Sequence, residues 1–280
     1  MPEKSKIVVV FPVHNGAKTL ERSLQSIADQ SLSDFRALIL ENGSTDDTLE
    51  IARAFCARDP RFSVIQNANF LSALEQFAKA FRIGACEGEY FCLRACDDTS
   101  TPDFLQELVA SLDADPSKML AVGNVERVDG TKVKHAKPNQ DIFRFKERYV
   151  RGRAPRNLMY PSEWIYGVFR SAAADEIVLK RWHEGAVWAL SSYVVTEFVV
   201  RDLVAYTDGP VYEFTEGSGS DKKYMVTSIT AKIRARWQYT IGCYKLKDKL
   251  PPASLYSRLM LFRMCWNDAR RKTRYRIFGL

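Results

Sequence analysis

The chain alternates between two hydrophobic periods throughout residues 1–125, and this alternation constrains the fold more than any other feature. Lys6–Val13 (KIVVVFPV) is a β-branched run with no polar face, the pattern of a strand buried on both sides. Leu20, Leu24 and Ile27 then follow at helical spacing, and Phe35–Leu40 returns to a strand pattern. Ser44 and Asp47 predict a capping box that opens a helix carrying Leu49, Ala52 and Phe55. Phe62–Gln66 reads as a third strand, and Leu74, Phe77, Ala78, Phe81 and Ala85 line one helix face. Tyr90–Leu93 reads as a fourth strand. Pro102 is expected at the first position of a helix with Phe104, Leu105, Leu108, Val109 and Leu112, and Met119–Val125 closes the series. Strand and helix in strict alternation specify an α/β class with a mainly parallel sheet flanked by helices.

The polar residues of this region gather where the strands end. The first strand runs into Pro12, His14, Asn15 and Gly16, the second into Glu41, Asn42, Gly43, Ser44, Thr45 and Asp46, and the fourth into Asp97 and Asp98. Open α/β sheets bind ligands outside the carboxyl ends of their strands. Each loop alone has a plain structural reading, as a turn with a helix cap or a solvated lead-in; together they mark one site. No G-x-G-x-x-G follows a strand and no G-x-x-x-x-G-K-[ST] occurs, which argues against a dinucleotide fingerprint and a P-loop.

Val9–Ala52 and Gly88–Leu105, with the spacing between them, resemble glycosyltransferase family 2; Tyr160–Arg170 continues the likeness more weakly. The resemblance implies a GT-A, Rossmann-like fold and an inverting hexosyl transfer from a nucleotide-sugar donor, a UDP- or GDP-sugar. The implied acceptor is a glycan or lipid-linked intermediate of bacterial surface polysaccharide synthesis. By the same resemblance Pro12, His14, Asn15, Glu41, Asn42, Ser44 and Asp97 bind the donor. Asp97 and Asp98 would hold a divalent cation, Mg²⁺ or Mn²⁺, which suits hard carboxylates. The family's acidic motif often starts two residues before the pair, where this chain has Ala95. The family's general base precedes a helix in the second half. The matching stretch, Arg181–Trp188, offers Glu184 as the catalytic base slightly out of register, with His183 as a weaker candidate.

Beyond residue 126 the pattern loosens. Residues 129–157 are polar and basic, Trp182–Val200 is partly helical in pattern, and Leu203–Tyr206 and Val211–Phe214 read as two strands around a Thr207–Pro210 turn. Glu216–Asp221 reads as a loop and a boundary. The expected organisation is therefore a domain over 1–220, with a donor half (1–125) and an acceptor half (126–220), followed by a basic helical extension over 221–280.

The net charge of +7 conceals a strong asymmetry. Lys222–Leu280 holds 15 Lys and Arg against Asp248 and Asp268, whereas the remainder holds 26 basic and 32 acidic residues. Met225, Ile229, Ile233, Trp237 and Ile241 recur every fourth residue, and Leu255, Leu259, Phe262 and Trp266 form a second stripe. Two readings stand side by side: helices packed on the core with a solvated basic face, or attachment to an anionic membrane surface. Basic and aromatic residues also interleave in nucleic-acid proteins, but no such module is present and nucleic acid is not an expected partner. The six cysteines form no CxxC pair, no signal peptide opens the chain and no apolar run is long enough to span a bilayer. A cytoplasmic protein, peripheral on the inner membrane's cytoplasmic face, is the resulting expectation. The alternative from another class is a catalytically silent GT-A domain that binds a nucleotide-sugar or scaffolds an assembly.

Overall fold

The computed structural model describes residues 5–185, 189–217 and 228–273. They divide into two units, each drawn from three chain segments. The first comprises Met1–Ala136, Glu163–Leu179 and Val204–Ser218, the second Lys137–Ser162, Lys180–Leu203 and Gly219–Leu280. The boundary expected at 220–221 lies outside the described residues, as do Ser218–Asp221, Lys222, Lys223, Met225, the Ala186–Trp188 part of the stretch expected to carry the base, and the end of the basic tail.

The first unit is built on one sheet. Its strands are β1 (Ser5–Val13), β2 (Phe35–Glu41), β3 (Phe62–Gln66), β4 (Gly88–Leu93), β5 (Thr99–Ser100), β6 (Leu120–Asp129), β7 (Lys132–Ala136), β8 (Val168–Arg170) and β9 (Val204–Thr215). The order is β3-β2-β1-β4-β8-β6-β9-β5, with β7 paired to β6. The β3-β2-β1-β4 half is parallel throughout, as is the β6–β9 pair. β8 lies antiparallel between β4 and β6, joining the parallel half to the β6–β9 pair, on which β7 and β5 add antiparallel. Ile7 to Phe11 have no exposed surface, as the β-branched run requires of a strand covered on both faces. Helices α1 (Leu20–Ala28), α2 (Thr48–Arg58), α3 (Ala73–Glu87) and α4 (Phe104–Ala114) carry the connections. Leu20, Leu24 and Ile27 of α1 are buried, as are Phe104, Leu105, Leu108, Val109 and Leu112 of α4. The α/β class and the parallel core are as expected.

Three local expectations are corrected. The Ser44–Asp47 capping box does not form: Asp47 is the N-cap of α2 without a side-chain cap, because the Ser44 hydroxyl accepts from the Asn15 amide instead. Helix α4 begins at Phe104, so Pro102 stands in the preceding turn rather than at the first helical position. The two strands expected around Thr207–Pro210 are one strand, β9. Val122 pairs with Tyr206 and Asn124 with Val211, so the intervening residues form an irregularity within the ladder rather than a chain reversal.

In the second unit, α5 (Phe145–Val150), the greater part of α6 (Leu179–Glu184), α7 (Leu190–Val200), α8 (Ile229–Tyr244) and α9 (Leu255–Thr273) group together. Nearly every residue of α7 is buried, the mark of a helix apolar all round. Glu197 within it is fully buried, and its carboxylate meets Lys249 at 2.6 Å, Arg201 at 3.0 Å and Arg181 at 3.7 Å. Helices α8 and α9 form an antiparallel hairpin: Trp237 meets Trp266, Tyr239 donates to Asp268, and Arg236 reaches Thr273. Among the described residues no helix is long and apolar enough to cross a membrane.

Candidate functional site

The loops after β1, β2 and β4 are laced together at one edge of the first unit's sheet. Asn15 takes the left-handed conformation at φ 54°, which Asn tolerates better than most residues. That turn aims its side-chain oxygen at the Thr45 amide (2.8 Å), while the Asn15 amide donates to Ser44 Oγ (3.0 Å). The next two amides continue the pattern: Gly16 donates to Thr48 Oγ1 (2.8 Å) and Ala17 to Asp46 Oδ2 (3.1 Å). Asp46 also accepts from the Thr48 amide and hydroxyl. The third loop closes against the first at Gly16, where a Cβ would lie 3.0 Å from Cys96 Sγ and 3.2 Å from Val13 Cγ1.

Glu41 and Asn42, both expected to face the donor, are buried and hold the framework. The Glu41 carboxylate accepts from the Ser44 amide and from Gln66. Burial opposes its ionisation, but the hydrogen bonds from Ser44, Gly43 and Gln66 outweigh burial and keep its carboxyl below the usual range. Asn42 clamps Leu71 at both backbone groups, donating to its carbonyl (2.8 Å) and accepting from its amide (2.9 Å), and accepts from Asn67 (2.9 Å). Both side chains thus brace the loops that surround the strand ends, through backbone groups and through Gln66 and Asn67. Pro12 is likewise buried, within β1. The exposed groups are His14, Asn15, Gly43, Thr45 and Asp46, with Ser44 half-buried. His14 Nδ1 lies 3.1 Å from the Asn42 carbonyl, and its ring meets the edge of exposed Phe70 with centroids 5.1 Å apart.

The two carboxylates after β4 differ sharply. Asp97 is half-buried; its backbone carbonyl accepts from Arg22 (2.8 Å) and Thr215 Oγ1 (2.7 Å), and among the described residues its carboxylate takes no hydrogen bond or ion pair. Asp98 is fully buried, and both its oxygens are engaged, by the Tyr212 hydroxyl (2.6 Å) and the Thr215 amide (2.8 Å). Burial pushes its carboxyl up to about 6, against the pull of those two hydrogen bonds. Arg94 stands beneath this loop, fully buried, its guanidinium 4.6 Å from the Tyr212 ring centroid and 5.1 Å from that of Phe104. Ser23 Oγ is within hydrogen-bond distance of the Ala95 and Asp98 carbonyls, fixing the loop to α1. Cys96 is pushed up to about 12 by burial, reinforced by the neighbouring aspartates, so its thiol stays neutral. Among the described residues no group of three or more His, Cys, Asp or Glu side chains is arranged to hold a metal ion.

Glu184 closes α6 in the second unit. Its carboxylate is exposed and only 4.0 Å from Arg181, whose guanidinium lies over the Tyr193 ring and donates to the Tyr193 and Gly242 carbonyls. His183 is exposed beside it. Sequence reading missed Phe70, Tyr212 and Thr215. Phe70 had a usable signal, an isolated aromatic in a polar loop after β3; Tyr212 and Thr215 lie more than a hundred residues from Asp98 and meet it only through the sheet.

The family model for glycosyl transferase family 2 matches residues 8–175. The glycosyltransferase GlyG of Streptococcus pneumoniae is 30% identical over 126 residues, which are 44% of this chain and 40% of GlyG, so the shared stretch spans less than half of that relative. Among solved structures, S. aureus TarS 1–349 in complex with UDP-GlcNAc superposes with a TM-score of 0.65 at 14% identity, covering 95% of this chain and 72% of that one. The mannosyltransferase PcManGT from Pyrobaculum calidifontis in complex with GDP-Man and Mn²⁺ gives 0.53 at 14% identity, covering 97% and 74%. These likenesses establish the GT-A fold.

Proposed function

The chain belongs to glycosyltransferase family 2, and from that premise we propose that it transfers a sugar from a UDP- or GDP-sugar to a glycan or lipid-linked acceptor in bacterial surface polysaccharide synthesis. The observation that carries this reading is the strand-end site itself: three loops knitted into one rigid edge, with the Asp97 carboxylate and the His14–Phe70 edge left accessible. The UDP-GlcNAc of TarS and the GDP-Man of PcManGT support the donor class.

A divalent cation fits Asp97 better than it fits the pair. Mg²⁺ commonly uses one or two carboxylates and fills its remaining positions with water and substrate phosphates. Asp97 offers an unengaged carboxylate; Asp98 is fully buried and already accepts from Tyr212 and Thr215. When bound, such a cation supplies Lewis-acid stabilisation to the diphosphate leaving group. Arg22 and Thr215 hold the Asp97 backbone in place, and Glu41 and Asn42 hold the loops against which the nucleoside would rest. In the inverting reaction, Glu184 takes the proton of the acceptor hydroxyl as its oxygen attacks the anomeric carbon opposite the departing nucleoside diphosphate. The six free thiols are compatible with a cytoplasmic setting.

The engagement of Asp98, together with Ala95 at the head of the acidic motif, also favours a second reading, a silent domain that binds nucleotide-sugars without turning them over. One experiment separates the two. Wild type is assayed for thermal shift and for turnover of UDP-GlcNAc and GDP-Man with Mn²⁺, beside Asp97→Ala and Glu184→Gln. We expect stabilisation by donor together with turnover, a loss on the order of 10²-fold or more for Asp97→Ala, and a loss of roughly 10²–10⁴-fold in transfer with donor binding kept for Glu184→Gln. Donor stabilisation without any turnover would establish the silent reading.

A further inference from the structure

The apolar lines of α8 and α9 face outward. At 3.6 residues per turn, Ile233, Trp237 and Ile241 fall on one side of α8, while the side that packs inward carries Ala235, Tyr239, Thr240 and Cys243. Trp237 is 47% and Ile241 42% exposed. On α9, Leu261, Met264 and Cys265 are buried, and Leu259 is 55% exposed. Both helices therefore have a packed face and a separate apolar line whose Ile233, Trp237, Ile241 and Leu259 are open to solvent. The Trp237–Trp266 contact, with ring centroids 5.0 Å apart, joins the two lines across the hairpin.

Charge identifies the occupant. Arg234 on α8, Lys245 just past its end, and Arg263 and Arg270 on α9 are exposed beside these lines. Of the two acidic residues in the described hairpin, Asp268 is buried against Tyr239 and Arg271, and Asp248 sits at the turn, paired with Lys247. The surface thus presents cations without intervening carboxylates. A second copy of the same surface would bring like charges together, whereas a surface of anionic headgroups over hydrocarbon matches both its charge and its apolar lines. We propose that the α8–α9 hairpin docks on an anionic lipid bilayer, with Ile233, Trp237, Ile241 and Leu259 entering the headgroup boundary and the flanking Arg and Lys side chains meeting lipid phosphates. This inference does not depend on catalytic activity.

The test is co-sedimentation of the full chain with phosphatidylglycerol–phosphatidylcholine vesicles and with phosphatidylcholine alone. Binding to the anionic vesicles is expected, falling at high salt, with little binding to the neutral ones. Trp237→Glu with Ile241→Glu should abolish it. Arg234→Gln, Arg263→Gln and Arg270→Gln combined should weaken it about 100-fold, on the basis of about fivefold per basic residue. All five positions are exposed, so unchanged melting curves confirm that the variants fold. Equal binding to both vesicle types, absence of binding by wild type, or full binding by the Trp237/Ile241 variant would each overturn the proposal. A wild-type dimer that the Trp237/Ile241 variant renders monomeric, without vesicle binding, would assign the surface to a second copy instead.

Discussion

Asp98 sits between the Tyr212 hydroxyl and the Thr215 amide, out of contact with water. Burial raises its carboxyl from an ordinary 3.8 to about 6. The folded protein therefore binds this proton more tightly than the unfolded chain. The resulting stability is fully present below about pH 4 and is lost as pH rises through about 6. A shift of this size corresponds to roughly 3 kcal/mol. Asp98→Asn keeps the shape, can accept from Thr215 and donate to Tyr212, and does not titrate. Compared in EDTA by urea unfolding, the variant should gain about 2–3 kcal/mol on wild type between pH 4 and pH 7.5. Parallel stability–pH curves for the two proteins would show that Asp98 does not carry this titration. The same residue marks a limit of sequence reading. The resemblance located Glu41, Asn42 and Asp98 at the right strand ends, but a carboxylate or amide that serves a ligand and one that serves a neighbouring loop are the same letter. The loop partners, such as Leu71 for Asn42, come into view only in the fold.

At the scale of elements, periodicity located every strand and helix of residues 5–114 except β5, whose two residues are too short to show a period. Capping was harder to read. Ser44-Thr-Asp-Asp47 and Ser72-Ala-Leu-Glu75 both fit the capping-box pattern, yet only the second forms one. Ser44 is already committed to Asn15, whereas the Glu75 carboxylate reaches the Ser72 amide at 2.9 Å. Ser72→Ala should therefore cost about 1 kcal/mol in denaturant unfolding, whereas a change at Ser44 should act on the loop instead of the helix. An unaltered midpoint for Ser72→Ala would remove the cap from the account of α3. The turn expected within 207–210 was half legible: the chain does depart from regular pairing there, but the ladder with β6 resumes at Val211. Gly123 permits this, since a Cβ there would lie 2.2 Å from the Pro210 carbonyl oxygen. A pairing partner as far away as Tyr206 is from Val122 is invisible to local pattern.

At the scale of the molecule, the chain read from end to end puts the basic helices after a domain over 1–220 and leaves open whether they pack on its core. Contacts group them with Lys137–Ser162 and Lys180–Leu203. The reason is α7, whose buried surface has to be covered on nearly every side. The C-terminal helices supply much of its polar bonding too. Lys249 pairs with Glu197, Lys272 donates to Ser192, and Tyr239 lies 3.3 Å from the Thr196 hydroxyl. Arg181, itself buried, donates to the Gly242 carbonyl. A chain ended at Gly217 loses all of these at once. Removing one partner of a buried ion pair costs about 3–5 kcal/mol, against a total stability of roughly 5–15 kcal/mol for a typical domain, and the uncovered apolar surface would favour association. The truncated protein should therefore aggregate or lose its cooperative unfolding transition. Trp237→Ala, which gives up the ring contact with Trp266, should cost about 0.5–1.5 kcal/mol, well short of the effect of truncation. Size-exclusion chromatography and calorimetry decide the matter: a monomeric truncation that melts in one sharp transition would show that the helices are an appendage, because Tyr160 and Arg181 would then suffice to hold α7 without them.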